Sequence, residues 1–508
     1  MLYCPKCASP VKKDGFTTSG KQRYECVSCG FSTVSPAGLD HVDSVFDRKK
    51  VEAHVKGKAD KYVITSAQNA TPINEPFFAS LLRYCEENSA KLFVIPYRYR
   101  NPTSMFVDKD HDWWDKRLLP YIADTRFNLT KNLQLMGDIK IQPTAARPLS
   151  GMDSMTGTEC AIFGHPKVQL KSIATRAGEM AKIIATTGSI TVPNYTNSKA
   201  GKKGQHHHSF SAMIVEKDGT SFHMRHITSC RDGSFIDLDR EYTPTETRKA
   251  APAKALVLGD LHHMFMDQMN DLAVFGFGGI VETLRPENVV LHDVIDSYSI
   301  SHHHKSNPFI NYVKHQSKSN SIRKEIEGVI DYLNARAKKA KLHVVSSNHH
   351  NHIMQWLSST DWRNDPENAE FYLETALYMI RGSKMSASGA SVPDPFKFWI
   401  EKRCPDVSII DESNGLQIGD FELGFHGHNG PNGAKGSLSN LSKIGTKVII
   451  GHSHTPGRED GSLSVGTSSR LDLEYAKGPS AWLHTHAVVY ANGKPTLLTV
   501  LPSGKWKK

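Results

Sequence analysis

Five short apolar runs in the second half of the chain each stop at a cluster of residues able to ligate metal: ALVLG before Asp260, NVVLH before Asp293, LHVVS before Asn348, FELGF before His426 and KVIIG before His452. Short aliphatic runs bounded by polar clusters read as buried strands. Strands that deliver their C-terminal ends to one place predict an α/β domain with a site there, from about residue 252 to 508, because ligands in open α/β sheets gather outside those ends. Between the second and third runs, Ile322, Ile326, Val329, Ile330 and Leu333 recur at helical spacing and predict an amphipathic helix with a basic outer face.

The residues at the strand ends form an ordered series: Gly259-Asp260-Leu261-His262, Asp293-Val294-Ile295-Asp296, Asn348-His349, His426-Gly427-His428 and Gly451-His452-Ser453-His454. Carboxylates, an amide and several imidazoles are the donors that a pair of divalent ions needs. A phosphodiester is anionic and repels hydroxide; two ions about 3.5 to 4 Å apart neutralise its oxygens and generate the nucleophile at neutral pH. The series resembles the calcineurin-like metallophosphoesterase family, whose members carry D-x-H, G-D-x-x-D, G-N-H-D/E, an isolated His and G-H-x-H in that order. The resemblance covers roughly residues 252 to 500 and implies a metallophosphoesterase β-sandwich flanked by helices. It implies that Asp260, His262 and His454 hold a first metal, that Asn348, His426 and His452 hold a second, and that Asp293 bridges them. His349 matches the family histidine beside the substrate, which stabilises phosphoryl oxygens or protonates the leaving oxygen, and Asp296 would orient its imidazole. The pattern is broken at His292, Ser347 and His350, none of which removes a ligand. Oxygen and imidazole donors without cysteine fit manganese better than a thiolate-rich zinc site. The triplets His206, His207, His208 and His302, His303, His304 lack the strand-end context and read as bystanders.

At the other end of the chain, Cys4-x2-Cys7 is followed after eighteen residues by Cys26-x2-Cys29, the spacing by which two knuckles close a tetrahedral zinc. A module of about 35 residues buries too little apolar surface to fold alone, so the metal would supply its folding energy. It resembles the N-terminal zinc ribbons of transposase-like and other DNA-acting proteins. Five Lys or Arg against two Asp or Glu in residues 1–35, with Phe16 and Tyr24 between them, suit phosphate contact and base stacking; a purely structural or protein-binding knob is the other reading. Residues 36–60 read as a basic linker. Residues 61–245 alternate β-branched runs with helix-like stretches, which predicts an α/β domain of unknown role. Within it NSKAGKKGQHHH reads as an exposed loop, and REYTPTETRKAAPAKA as the connector to the last domain. No internal repeat is evident. The run YVITSAQNATPINEPF does occupy a strand-then-loop position like that of GDLHH, with Ser66, Gln68 and Asn69 in place of ligands. It reads as scaffold, or as a degenerate second phosphoesterase-like half.

A net charge of +10 and a pI near 9.0 tilt the chain toward polyanions. No run of eighteen apolar residues and no secretory signal is present, which predicts a cytoplasmic protein without a membrane segment, in the host cytoplasm if phage-encoded. The ribbon, the charge and the motif series together predict a two-metal DNA nuclease similar to the SbcD-type branch of the family, with phage-encoded DNA-transfer and DNA-degrading proteins among its relatives. Family relatives often dimerise, so a homo-oligomer is expected. The same site would serve a phosphomonoesterase or a nucleotide or phosphoprotein phosphatase, and a DNA-docking or transfer protein with secondary catalysis is the third reading.

Overall fold

In a computed structural model, which describes residues 11–18, 20–34, 48–56, 59–99, 113–387, 389–474 and 476–508, the apolar runs of the second half form strands Ala255–Val257, Val289–Leu291, Leu342–Val345, Phe421–Glu422 and Lys447–Ile450. The first three pair in parallel and continue into Val407–Ile410; the antiparallel hairpin Thr485–Val489 and Pro495–Thr499 extends the other edge to give six strands. Successive side chains alternate across this sheet. Leu256, Val289, Leu291 and Val344 face helices Ile322–Ala337 and Asn348–Ser359, which cover them with Ile326, Val329, Leu333, Ile353 and Trp356. Val257, Val290, Val345 and Ala487 face a second sheet.

That second sheet has ten strands and is drawn from both halves of the chain. Phe421–Glu422, Lys447–Ile450 and the hairpin Gly457–Glu459 with Ser462–Ser464 lie on one side. An antiparallel seam, Gly457 opposite Lys171 and Arg458 opposite Leu170, joins them to Leu170–Ile173, Lys182–Thr186, Cys160–Phe163, Leu133–Met136 and Arg126–Thr130. Leu135, Ile162 and Ile183 from the first half share one apolar core with Ile449 and Leu463 from the second.

The same connectivity occurs twice. Lys61–Gln68 pairs in parallel with Lys91–Tyr97 and antiparallel with the hairpin Ser211–Asp218 and Ser221–Thr228, as Ala255–Val257 does with its own neighbours. The five strands on either side of the seam follow one order in mirror sequence about it. Local bonds agree: Thr467 Oγ1 donates to Asp260 O (2.9 Å) and meets Ser469 Oγ (2.6 Å), while Ser189 Oγ donates to Ser66 O (3.2 Å) and meets Thr191 Oγ1 (3.0 Å). Ser66 therefore stands where Asp260 stands in the second half, and Gly164-His165 where Gly451-His452 stand. Between Val289–Leu291 and Phe421–Glu422 the second half carries strands Leu342–Val345 and Val407–Ile410 and the helix that begins at Asn348.

Three segments differ from the sequence expectations. Lys199–His207, read as a loop, is a helix because Ser198 Oγ caps Gly201 N at 3.1 Å and the small, buried Gly201 and Gly204 let it lie against Thr196 and Tyr195. The expected connector carries strands Arg240–Tyr242 and Thr247–Lys249 beside Phe235–Asp237. The expected linker contains helix Arg48–Lys56, whose Val51 is buried in the core around Phe77 and Leu81. At the N-terminus, Val11–Phe16, Gln22–Cys26 and Ser32–Thr33 form an antiparallel sheet whose core, among the described residues, holds Cys26, Phe31, Val11 and Tyr24. Among the described residues no helix is long and apolar enough to cross a membrane.

Candidate metal centre

Four of the strand-end residues have left-handed backbones: His262 (φ 42°), Asp293 (φ 41°), His452 (φ 70°) and His454 (φ 53°). Each such L-residue costs ~1 kcal/mol or more and persists only where its surroundings over-determine it. Here they do. His262 N donates to Asp293 O (2.7 Å), Leu261 N to His292 O (3.0 Å) and Ser468 N to Asp260 O (2.7 Å). His452 N donates to Asp260 Oδ2 at 2.8 Å. Gly451 is required for close approach, since a Cβ there would lie 2.2 Å from Asp260 Oδ1.

These turns bring donor atoms together. Asp260, His262 and His454 each place one within 4.8 Å of the others, as do His262, Asp293 and His349, and Asp260, Asp293 and His426. His454 Nε2 lies 3.1 Å from both His262 Nε2 and Asp260 Oδ2. Atoms about 2.1 Å from one ion stand roughly 3.0 to 3.4 Å apart, so this spacing, which also suits direct hydrogen bonds, fits a coordination shell. Asp293 Oδ2 is 3.1 Å from His426 Nε2 and 3.8 Å from His262 Nε2, between the two groups. The His452 ring stands 5.2 Å from that of His426. Among the described residues Asp260 Oδ1, Asp293 Oδ1 and Asn348 Oδ1 are buried without a hydrogen-bond donor, a costly state for oxygen atoms that cations relieve. The residues present fit a divalent metal pair.

Charge is balanced within the site. Burial works against the charged form of His262, but the Asp296 hydrogen bond and the charges of Asp293, Asp296 and Asp260 carry it up to about 9. Burial likewise opposes charge on His426, which Asp293 and Asp260 raise nevertheless. Burial alone would push Asp293 and Asp260 up; His426 holds both below the ordinary carboxylate value, joined by His349 at Asp293 and His454 at Asp260. Burial lowers His452 to about 4, leaving a neutral imidazole with a lone pair to give. Protons and divalent cations thus compete for the same groups.

The structure divides Asp296 between two histidines. Its carbonyl oxygen accepts from His349 Nδ1 at 2.8 Å, whereas its carboxylate lies 3.1 Å from His262 Nδ1 and 3.6 Å from His349 Nδ1. Because a carbonyl only accepts, His349 Nδ1 carries the hydrogen, and Nε2 faces Asp293 Oδ2 at 4.0 Å. The three breaks in the pattern have local uses. Ser347 caps the helix that begins at Asn348, its Oγ accepting from His350 N at 3.5 Å. His350 stacks on Phe396 with centroids 3.8 Å apart, and His292 Nδ1 stands 3.5 Å from His426 Nδ1.

Sequence reading missed the residues that hold the Asp260 turn from below. Buried His486 accepts from Gly259 N at Nδ1 (3.1 Å) and donates from Nε2 to Asn270 Oδ1 (3.1 Å); Ser468 Oγ donates to Gly259 O (2.9 Å). The only signal was two histidines in alternation on an apolar strand, His484 and His486. The second histidine triplet also lies nearer the site than expected: His303 and His304 line a cavity of about 540 Å³ that opens beside Asp296, Asn348 and His349. Of the expected zinc ligands, Cys4 and Cys7 lie outside the described residues. Cys26 and Cys29 flank a tight turn in which Gly30 N donates to Cys26 O (3.1 Å) and Ser28 N to Cys26 Sγ (3.4 Å).

Fold and site define a mixed α/β protein with a buried carboxylate and imidazole centre able to hold metal ions. The chain belongs to the family of Protein A1 of Escherichia phage T5, to which it is 30% identical over 458 residues, 86% of this chain and 81% of that protein. The relative is a phage protein, in keeping with the phage connection of the motif series. No family model matches the chain, and no solved structure matches it.

Proposed function

We propose that the chain is a two-metal phosphodiesterase of the calcineurin-like type that hydrolyses DNA. The observation that carries this reading is the convergence of Asp260, His262, Asp293, His426 and His454 donor atoms on overlapping sets within 4.8 Å, with Asn348 and His349 on the cavity side. A pair of divalent ions held there supplies charge for the phosphate oxygens and a nucleophile from water. The donor set, without thiolate, favours manganese. The protein's own part begins with His349. Fixed at Nδ1 by the Asp296 carbonyl, it keeps Nε2 to hold a proton for the leaving oxygen. Helix Asn348–Ser359 adds the positive end of its dipole at the same point. Support for DNA comes from the net charge of +10 and from the N-terminal sheet, where Phe16 is 67% exposed.

Incubation of the purified protein with labelled DNA and manganese tests the reading, with cleavage expected. His349→Ala should slow it by roughly a hundredfold or more while the metals stay bound. Intact DNA beside brisk turnover of a nucleotide or phosphoprotein would reject a nuclease. DNA bound without turnover would favour docking, and metals lost from His349→Ala would make His349 a ligand.

A further inference from the structure

The cavity beside His349 has an aromatic and apolar wall and a rim that carries both Glu474 and Lys477. Phe265 and Tyr298 meet edge to face in its wall, with centroids 5.2 Å apart at 89°, and His304 stands 5.0 Å from Tyr298 at 72°. Ile310 and Leu473 complete the apolar lining. Lys314 steadies Tyr298, its Nζ lying 4.4 Å from the ring centroid and donating to Tyr298 O at 2.5 Å. A carboxylate sits at the rim: Glu474 Oε2 accepts from Tyr298 OH at 3.5 Å, and Glu474 Oε1 lies 3.6 Å from His304 Nε2. The rim charges of Glu474 and Lys477 are of opposite sign, so what sets the cavity apart is its aromatic and apolar wall. A flat, uncharged ring with donors and acceptors on its edge fits it, with aromatic walls for its faces, the Glu474 carboxylate for its N–H groups and Lys477 for its carbonyl oxygens.

Helix Pro308–Gln316 gives Ile310 to this wall and presents Phe309 (82% exposed) and Tyr312 (65% exposed) to solvent beside it. Two aromatic rings three residues apart lie on one helical face and suit stacking against unpaired bases. A base inside a duplex cannot reach a recess of this kind without leaving its stack.

We infer that the cavity takes the nucleobase next to the scissile phosphate, so that the DNA cut is single-stranded or frayed rather than paired. This rests on the phosphodiesterase reading above. Two esters separate the cavity from the metals: thymidine 5′-(p-nitrophenyl phosphate), and methyl p-nitrophenyl phosphate, which has the same leaving group and no base. With the full chain and manganese, kcat/KM for the nucleotide ester should exceed that for the methyl ester by about tenfold or more, the effect of one stacked base. That ratio should fall to about twofold in Phe265→Ala and in Ile310→Trp, which fills the recess. A single-stranded oligonucleotide should be cut about tenfold faster than the same sequence in a duplex closed by hairpins at both ends. Equal turnover of the two esters by the unaltered protein, an unchanged ratio in both variants, or faster cutting of the duplex overturns the inference and leaves the phosphodiesterase reading standing. Hydrolysis of neither ester, with DNA intact, overturns both.

Discussion

Gly451 is the residue on which the ligand geometry can be tested without touching a ligand. An added methyl would lie 2.2 Å from Asp260 Oδ1 and 3.0 Å from the His292 side chain, both fully buried, so one of them must shift. Gly451→Ala should weaken metal binding by about tenfold or more, as other changes behind a ligand do, while circular dichroism stays the same. Metal content by mass spectrometry after dialysis reads the outcome; full occupancy would mean that Asp260 is not held as described. Candidate ligand positions of this kind are legible in a sequence because few side chains can do the chemistry and here they recur in order at the ends of apolar runs. The supports are less so. Nothing in the order of residues says that the Asp296 carboxylate turns to His262 while its carbonyl takes His349, or that His486 sits under Gly259. Those pairings depend on how strands far apart in sequence approach, and any buried donor could have served.

Among the elements, the hairpin Ser211–Asp218 and Ser221–Thr228 is tied to strand Phe235–Asp237 by a buried ion group. Arg225 Nε and Nη2 donate to Asp237 at 2.5 and 2.7 Å, Arg225 Nη1 donates to Glu216 Oε2 at 2.7 Å, and Lys61 Nζ lies 3.0 Å from Glu216 Oε1. Burial alone would raise the Glu216 carboxyl, but Arg225 and then Lys61 pull it down to about 2. A carboxyl whose folded value lies below its unfolded one stabilises above the unfolded value, about 4.3, and loses that contribution as pH falls toward the folded value. Glu216→Gln should therefore cost on the order of 3 kcal/mol at pH 7 and progressively less between pH 4.5 and 2, read by urea unfolding. A gap between the two proteins that stays constant with pH would assign the loss to packing. Helix Ile322–Ala337 was plain from its apolar spacing. Helix Lys199–His207 was not, because its glycines carry no apolar period and act only through the surface they pack against.

The whole molecule is organised by the seam at Gly457 and Arg458. Residues 252–508 alone would expose the backbone edge of Gly457–Glu459 that Leu170–Ile173 pairs with, an invitation to edge-to-edge pairing. That fragment should be recovered mainly as aggregate by light scattering, whereas both halves expressed together should yield soluble material. A monodisperse fragment alone would show that the seam is dispensable. The repeat behind this seam showed in the sequence only as the strand-then-loop likeness of YVITSAQN to the run before Asp260, because a shared order of strands constrains only which residues are apolar, and Ser66 keeps the place of Asp260 without its chemistry. The seam also frees the half with the candidate metal centre from dilution. Where two separate subunits would part at low concentration, these two are tethered, so the sheet that carries the candidate metal ligands should persist in one molecule as well as in many.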